Sequence, residues 1–250
     1  MTRIVENFQN HILSVRKLMG FDRVVLDTAI ESVKKLRDNL VNHHNLDNPH
    51  LTAQRTLDFL ENIRKNDSMR THYQTIFNQA LVLIVSYFAS SVHDLLRRGI
   101  HLALDAQPES PVLREEFRLT LRDLKDVDFA VREVAPDFLI QSKDISFQDM
   151  QSIARAFKNY LEIEIIRDHV VNDIILGQAC RHVIVHAGGI IGDQAVRQVA
   201  SASPRRVKPL LIAGDTIQFM PEDVELIAES MTSYLKSVST KVSEKFGVKV

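Results

Sequence analysis

Three ionisable side chains stand close together in the stretch ACRHVIVHAGG, residues 179–189. They are Arg181, His182 and His186, and a pair of glycines follows them directly. An imidazole exchanges protons near neutral pH, and a guanidinium stays charged and binds phosphate through parallel hydrogen bonds. This combination suits a reaction at a phosphodiester, where one group accepts a proton and the other stabilises developing charge. The alternative is that all three residues merely solvate the end of a helix.

The two histidines also permit a metal site. The sequence HVIVH places His182 and His186 one helical turn apart on the same face, which is the spacing of a zinc-binding helix. The glutamate of the HExxH zinc motif is missing, and no third ligand is evident nearby. The chain also lacks the GxxxxGK, GxGxxG, CxxC and GxSxG motifs of common nucleotide-binding, redox and hydrolase folds. We therefore expect no cofactor and no metal, with the two-histidine site as the alternative.

Arg181 and His186 together form an R-x4-H motif, in which the polar His182 follows the arginine and three apolar residues precede the closing histidine. The motif lies at the end of an apolar helical pattern, and the glycines that follow it are expected to end the helix. In these residues the chain resembles the HEPN superfamily (higher eukaryotes and prokaryotes nucleotide-binding), and within it the RiboL-PSP-HEPN type of ribonuclease domain. The resemblance covers residues 67–250.

The resemblance implies a metal-independent endoribonuclease with Arg181, His182 and His186 at its catalytic site. His186 would take the proton of the ribose 2′-OH, and Arg181 would stabilise the phosphorane, which leaves a 2′,3′-cyclic phosphate. His182 has three open roles: to orient Arg181, to line the cleft, or to fill space. The resemblance to HEPN ribonucleases also implies a role as a toxin or an anti-phage defence effector, with an antitoxin or a defence-system partner. The alternative function is a non-catalytic module that binds nucleotide or RNA, or that dimerises.

The spacing of the pair poses a geometric difficulty. Five residues advance an ideal helix by about 500°, which leaves Arg181 and His186 about 140° apart around its axis. Either the length of the arginine side chain or a distorted last turn must bring them together. The resemblance implies a homodimer in which two motif helices face each other and both pairs line one cleft.

A local excess of basic residues follows the motif. Residues 174–214 contain five basic residues and one acidic residue, a local charge of +4, whereas the whole chain has a formal charge of −1. A polyanion such as RNA would be held there. The predicted RNA-binding residues are Arg197, Arg205, Arg206 and Lys208. The alternative is that SPRRVK is a solvated loop.

The hydrophobic periodicity predicts an all-α helical bundle with a small irregular or hairpin insert. A long apolar helix is expected over residues 71–98, interrupted at Gly99, and a charged helix over 114–131 leads to a turn at Pro136. Helices then continue, with or without a bend, from Ser146 to the glycines. The segment PLLIAGDTIQF, residues 209–219, predicts a hairpin, and Pro221 opens the last helix.

The charged break KNDSMR divides the chain into an N-terminal helical segment, residues 1–66, and a HEPN-like domain, residues 67–250. The single cysteine, Cys180, cannot form an intramolecular disulfide, and the polar start of the chain does not resemble a secretory signal. A cytoplasmic protein is expected. The most apolar run, residues 80–89, has only ten residues, which predicts a buried helix rather than a membrane span.

Overall fold

The computed structural model describes residues 1–42, 49–66, 70–106, 109–116, 118–126, 128, 130–209 and 211–248. Within these residues the protein is all-α, as predicted, and no strand is present among them. A short 3-10 helix, Pro111–Arg114, accompanies ten α-helices. The α-helices are α1 Thr2–Met19, α2 Phe21–Asn42, α3 Pro49–Asn66, α4 Arg70–Ala106, α5 Leu121–Asp126, α6 Val131–Ser142, α7 Met150–Leu161, α8 His169–His186, α9 Asp193–Ala200 and α10 Pro221–Lys245.

Helix α8 lies at the centre of the bundle. Nine of the ten residues from Val171 to Cys180 are buried, because apolar side chains occupy all sides of this helix. A helix that is apolar all round is stable only when other elements enclose it. Helices α4, α7, α9 and α10 pack around α8 and bury it. The motif residues therefore follow directly from the core of the protein.

Helix α4 is longer than the sequence predicts, because Gly99 does not interrupt it. A Cβ atom at this position would lie 2.5 Å from Cδ1 of Leu161 at the end of α7. Gly99 thus permits a close approach between α4 and the Leu161 side chain. The predicted break was wrong because a glycine inside a helix can serve packing as well as termination.

The stretch Thr75–Asp105 of α4 is long and apolar enough to cross a membrane by length and composition alone, which the ten-residue run did not suggest. A core helix of the same composition passes the same test. In the bundle, Phe88, Val92, Leu95 and Leu96 of this stretch are fully buried.

The first 66 residues, predicted to be one N-terminal helical segment, pack in two parts. Helix α1 packs on α4 and α10 as part of the main core, with the ring of Phe8 edge-on to Phe88 at a centroid distance of 6.3 Å. Helices α2 and α3 instead pack chiefly against each other. Residues 67–69 of the predicted boundary lie outside the described residues.

The middle of the chain is less helical than predicted. Of the charged helix expected over 114–131, the described residues keep only the six-residue α5, and Phe117, Val127 and Phe129 lie outside the described residues. Pro136 does not mark a turn but lies buried inside α6. Its burial in the core offsets the hydrogen bond that a proline cannot donate.

The helical stretch predicted from Ser146 consists of two separate helices. Asp149 caps α7, accepting a hydrogen bond of 2.9 Å from the backbone N–H of Ser152. Helix α7 ends at Leu161, and the residue after it, Glu162, has a left-handed φ of +50°. Asp168 then caps α8 by accepting a hydrogen bond from the N–H of Val171. Two aspartate N-caps thus set where α7 and α8 begin.

The predicted hairpin at 209–219 is not observed among the described residues, and an irregular segment takes its place. This segment pairs with the residues that follow α8: an antiparallel bridge joins Ile190 and Thr216, and Ile217 N–H donates to the carbonyl of Gly189 at 2.8 Å. Asn78 of α4 donates to the carbonyl of Ile217 at 2.9 Å. Through these contacts the segment ties the end of α8 to α4.

A buried carboxylate fixes the start of α8 to its neighbours. Asp173 is fully buried and accepts hydrogen bonds from the backbone N–H groups of Arg206 and Val207, at 2.9 and 3.2 Å. The Ser230 hydroxyl of α10 and Nε of Arg206 complete the set, at 2.8 and 3.2 Å. Each donor compensates part of the desolvation of the carboxylate.

We expect Asp173→Ala to destabilise the protein by about 3 kcal/mol, because it leaves the donors around this carboxylate without their acceptor. Urea denaturation followed by circular dichroism measures the loss. Arg197→Ala, at an exposed site on α9, is the control and should change the free energy of unfolding by less than about 0.5 kcal/mol. Equal stability of the two variants would contradict the structural role of Asp173.

Candidate active site

Helix α8 ends at His186, as the glycine pair predicts. The carbonyl of Val183 accepts hydrogen bonds from the N–H groups of Ala187 and Gly189, both at 3.0 Å. Gly188 and Gly189 have φ values of +59° and +82°, a left-handed conformation that residues with a side chain rarely adopt. This turn exposes the last residues of α8 at the surface.

The guanidinium of Arg181 approaches the ring of His186 within one chain. Its Nη1 atom lies 3.4 Å from Nε2 of His186, which accepts a hydrogen bond when the ring proton is on Nδ1. Helix α8 continues through His186, so the length of the arginine side chain, not a distorted turn, spans the angular offset. Convergence of the pair therefore does not require a second subunit.

A third residue, which the motif does not contain, holds the arginine. Nη1 of Arg181 donates a 2.8 Å hydrogen bond to Oε1 of Gln148. Gln148 comes from the turn before α7, where its own N–H donates to the Ser146 hydroxyl at 3.3 Å and Asp149 caps the helix. Sequence analysis missed Gln148. The sequence SFQD, residues 146–149, indicates a capping turn around Gln148. Only the packing of α7 on α8 brings Gln148 to the arginine.

His182 lies beside His186 on the exposed face of α8. The two ring centroids are 4.7 Å apart, with the planes tilted by 44°. Arg181 is half-buried, whereas both histidines are exposed. In the part of the chain that the structure describes, no group of three or more His, Cys, Asp or Glu side chains could hold a metal ion.

The basic residues predicted to bind RNA fall into two groups. Arg205 donates to the carbonyls of Val199, Ala202 and Val207, and Arg206 binds Asp173 and Ser230. These two guanidinium groups hold the SPRRVK loop in place through hydrogen bonds within the chain, and their predicted contact with RNA stays a prediction.

Arg206 holds the SPRRVK loop near the start of α8, whereas burial raises the pKa of the Cys180 thiol, which precedes Arg181, and the charge of Arg205 opposes this rise. Arg206 binds Asp173 near the start of α8, and thirteen residues separate Asp173 from His186, about 20 Å along the helix. Arg197 on α9 and Lys208 are exposed, and their contact with phosphate stays a prediction.

Cys180, which precedes Arg181, faces the core. Its thiol is buried, and desolvation raises its pKa to about 12. A thiolate is the nucleophilic form of cysteine, so this residue is unsuited to nucleophilic chemistry at the neighbouring site.

No family model matches this chain, and neither the curated proteins nor the solved structures contain a significant match. The resemblance to the HEPN superfamily stays a prediction from the motif residues.

We expect the thiol of Cys180 to resist alkylation by iodoacetamide at pH 8 in the native protein, because it is buried and its pKa is about 12. Unfolding in guanidinium chloride should restore rapid labelling, as mass spectrometry would show. The matched control is Cys180→Ser combined with Ile166→Cys, since Ile166 is 72% exposed and a thiol there should label in the native state. Rapid labelling of native Cys180 would contradict the burial.

Proposed function

We propose that the protein is a metal-independent endoribonuclease of HEPN type that cleaves RNA by attack of the 2′-OH on the adjacent phosphate. The approach of the Arg181 guanidinium to the His186 imidazole at an exposed helix end carries this proposal. A permanent cation beside an imidazole supplies the two functions that the reaction needs. The resemblance of the R-x4-H motif to HEPN ribonucleases supports the same reaction.

In this proposal, the phosphate binds to the edge of Arg181 that carries Nε and Nη2, for which no partner is found among the described residues. Nη1 stays held by Gln148. His186 removes the proton from the 2′-OH, and the 2′ oxygen forms a bond to phosphorus. The bond from phosphorus to the 5′ oxygen then breaks, and His186 returns its proton to that oxygen. The products are a 2′,3′-cyclic phosphate and a 5′-OH end.

Neighbouring residues have supporting roles. Gln148 orients Arg181, and His182 lines the site next to His186. Arg197 and Lys208 are exposed and remain candidates for contacts with more distant phosphates. A role as a toxin or anti-phage effector, with an antitoxin or defence partner, rests on the resemblance alone.

We also propose a homodimer through the exposed end of α8. Two apolar residues flank the site, Val185 at 45% and Ile190 at 49% exposure. A two-fold contact there buries both and places two copies of the Arg181 and His186 pair near one axis.

The purified protein should cleave single-stranded RNA in excess EDTA and leave the 2′-deoxy form of the same sequence intact, because DNA lacks the nucleophile. His186→Ala and Arg181→Ala should each reduce the cleavage rate by about 100-fold or more, and His182→Ala by less. Gel electrophoresis of labelled RNA measures the rates, and mass spectrometry identifies the cyclic phosphate.

Controls for this experiment come from the same protein. His169→Ala and Arg155→Ala alter exposed residues outside the site and should keep full activity, and circular dichroism confirms that every variant folds. Activity that EDTA abolishes would support a metal site at the two histidines instead. Folded, fully active Arg181→Ala and His186→Ala variants would contradict the mechanism, and a wild type that binds RNA without cutting it would favour the non-catalytic module.

Light scattering at micromolar concentration should give the mass of a dimer, and Val185→Glu or Ile190→Glu should give a monomer, because a charge is buried in the proposed contact. Ile166→Glu is the matched control: Ile166 is 72% exposed and precedes the start of α8, away from His186. A monomeric wild type, or a dimer that only Ile166→Glu dissociates, would contradict this interface.

A further inference from the structure

A cavity of 360 Å³ adjoins the proposed active site. It lies between α8 and α9, and two of its lining residues also belong to the site: His182, next to His186, and Gln148, which binds Arg181. Its volume is in the usual range of small-molecule pockets. A group bound in this cavity would therefore be a direct neighbour of a phosphate at Arg181.

The lining of the cavity is neutral and rich in amides. No Asp, Glu, Lys or Arg lines it, and its largest apolar side chains are Val183 and Ile190. Besides His182, four glutamines supply its polar side chains: Gln148, Gln178, Gln194 and Gln198. A primary amide offers both a donor and an acceptor, the pattern that matches the edge of a nucleobase. A phosphate finds no cation there.

One of these glutamines has an unused donor. Gln178 is only 6% exposed, and its Oε1 accepts a 3.1 Å hydrogen bond from the backbone N–H of Met150. This bond fixes which end of the amide is occupied. The Nε2 atom is buried and has no hydrogen-bond partner. A buried donor without an acceptor is unfavourable, but this atom is closed to solvent, so the accessible amides of the cavity are those of the exposed Gln148, Gln194 and Gln198.

We propose that this cavity, the glutamine pocket, binds one nucleobase of the RNA while the scissile phosphate lies at Arg181 and His186. The apolar walls contact the faces of the base, and the exposed amides of Gln148, Gln194 and Gln198 bind its edge. The pocket would give the enzyme a preference for the nucleotide beside the cleaved bond. The identity of the ligand as RNA rests on the proposed function.

Binding of the four ribonucleosides, which carry no phosphate, tests the pocket apart from catalysis. Ligand-detected NMR at millimolar concentration should show that at least one nucleoside binds to the wild type and equally to His186→Ala. Gln194→Ala and Gln198→Ala alter exposed side chains of α9 and should each weaken binding about threefold to tenfold, the usual effect of one lost hydrogen bond.

Because Gln194 and Gln198 lie at the surface, these two variants test the pocket without disturbing the core. Gln141→Ala, an exposed glutamine of α6 outside the pocket, is the matched control and should bind as the wild type does.

The outcomes separate the pocket from the ribonuclease proposal. Failure of every nucleoside to bind the wild type, or binding that the α9 variants leave unchanged, would overturn the pocket even if RNA is cleaved. Nucleoside binding that these variants weaken, together with no RNA cleavage, would support the pocket and contradict the proposed catalysis. When RNA is cleaved, the same variants should reduce its base preference, and an unchanged preference would count against the pocket.

Discussion

The enclosure of α8 is the constraint on which the other features of this structure depend. Its apolar residues face every direction, so four helices must surround it before its burial becomes favourable. Its C-terminal part reaches the surface, and Arg181, His182 and His186 lie there. A site on the end of a core helix has a rigid support, which a loop does not provide.

Polar groups inside this helix are compatible with the core because each is bound to a neighbouring element. Asp173 accepts hydrogen bonds from the SPRRVK loop and from α10, and Asn172 donates to the carbonyl of Pro204 at 2.8 Å. Gln178 binds the first residue of α7. These contacts orient the neighbours of α8 as well as satisfying its own side chains. Gln178 is the exception, because the buried Nε2 end of its amide remains without a partner.

The motif was recognisable because it combines uncommon residue types at the point where a helix must stop. Gly188 and Gly189 indicate a left-handed turn, and the structure has one there. Helix-breaking residues were less reliable elsewhere: Gly99 and Pro136 lie within helices because packing in the core outweighs their local preference. The charge of Arg205 and Arg206 did not indicate that both hold a loop by internal hydrogen bonds.

The sequence by itself determined the all-α class, the end of α8 and the presence of an arginine and a histidine five residues apart. Those features depend on periodicity and on backbone preferences, which are local properties of the chain. Only the tertiary structure decided that Gln148 holds Arg181, that Arg206 serves Asp173, and that glutamines from three segments meet in one pocket. The physical reason is that each of these contacts joins residues distant along the chain, and their meeting depends on how the helices enclose α8.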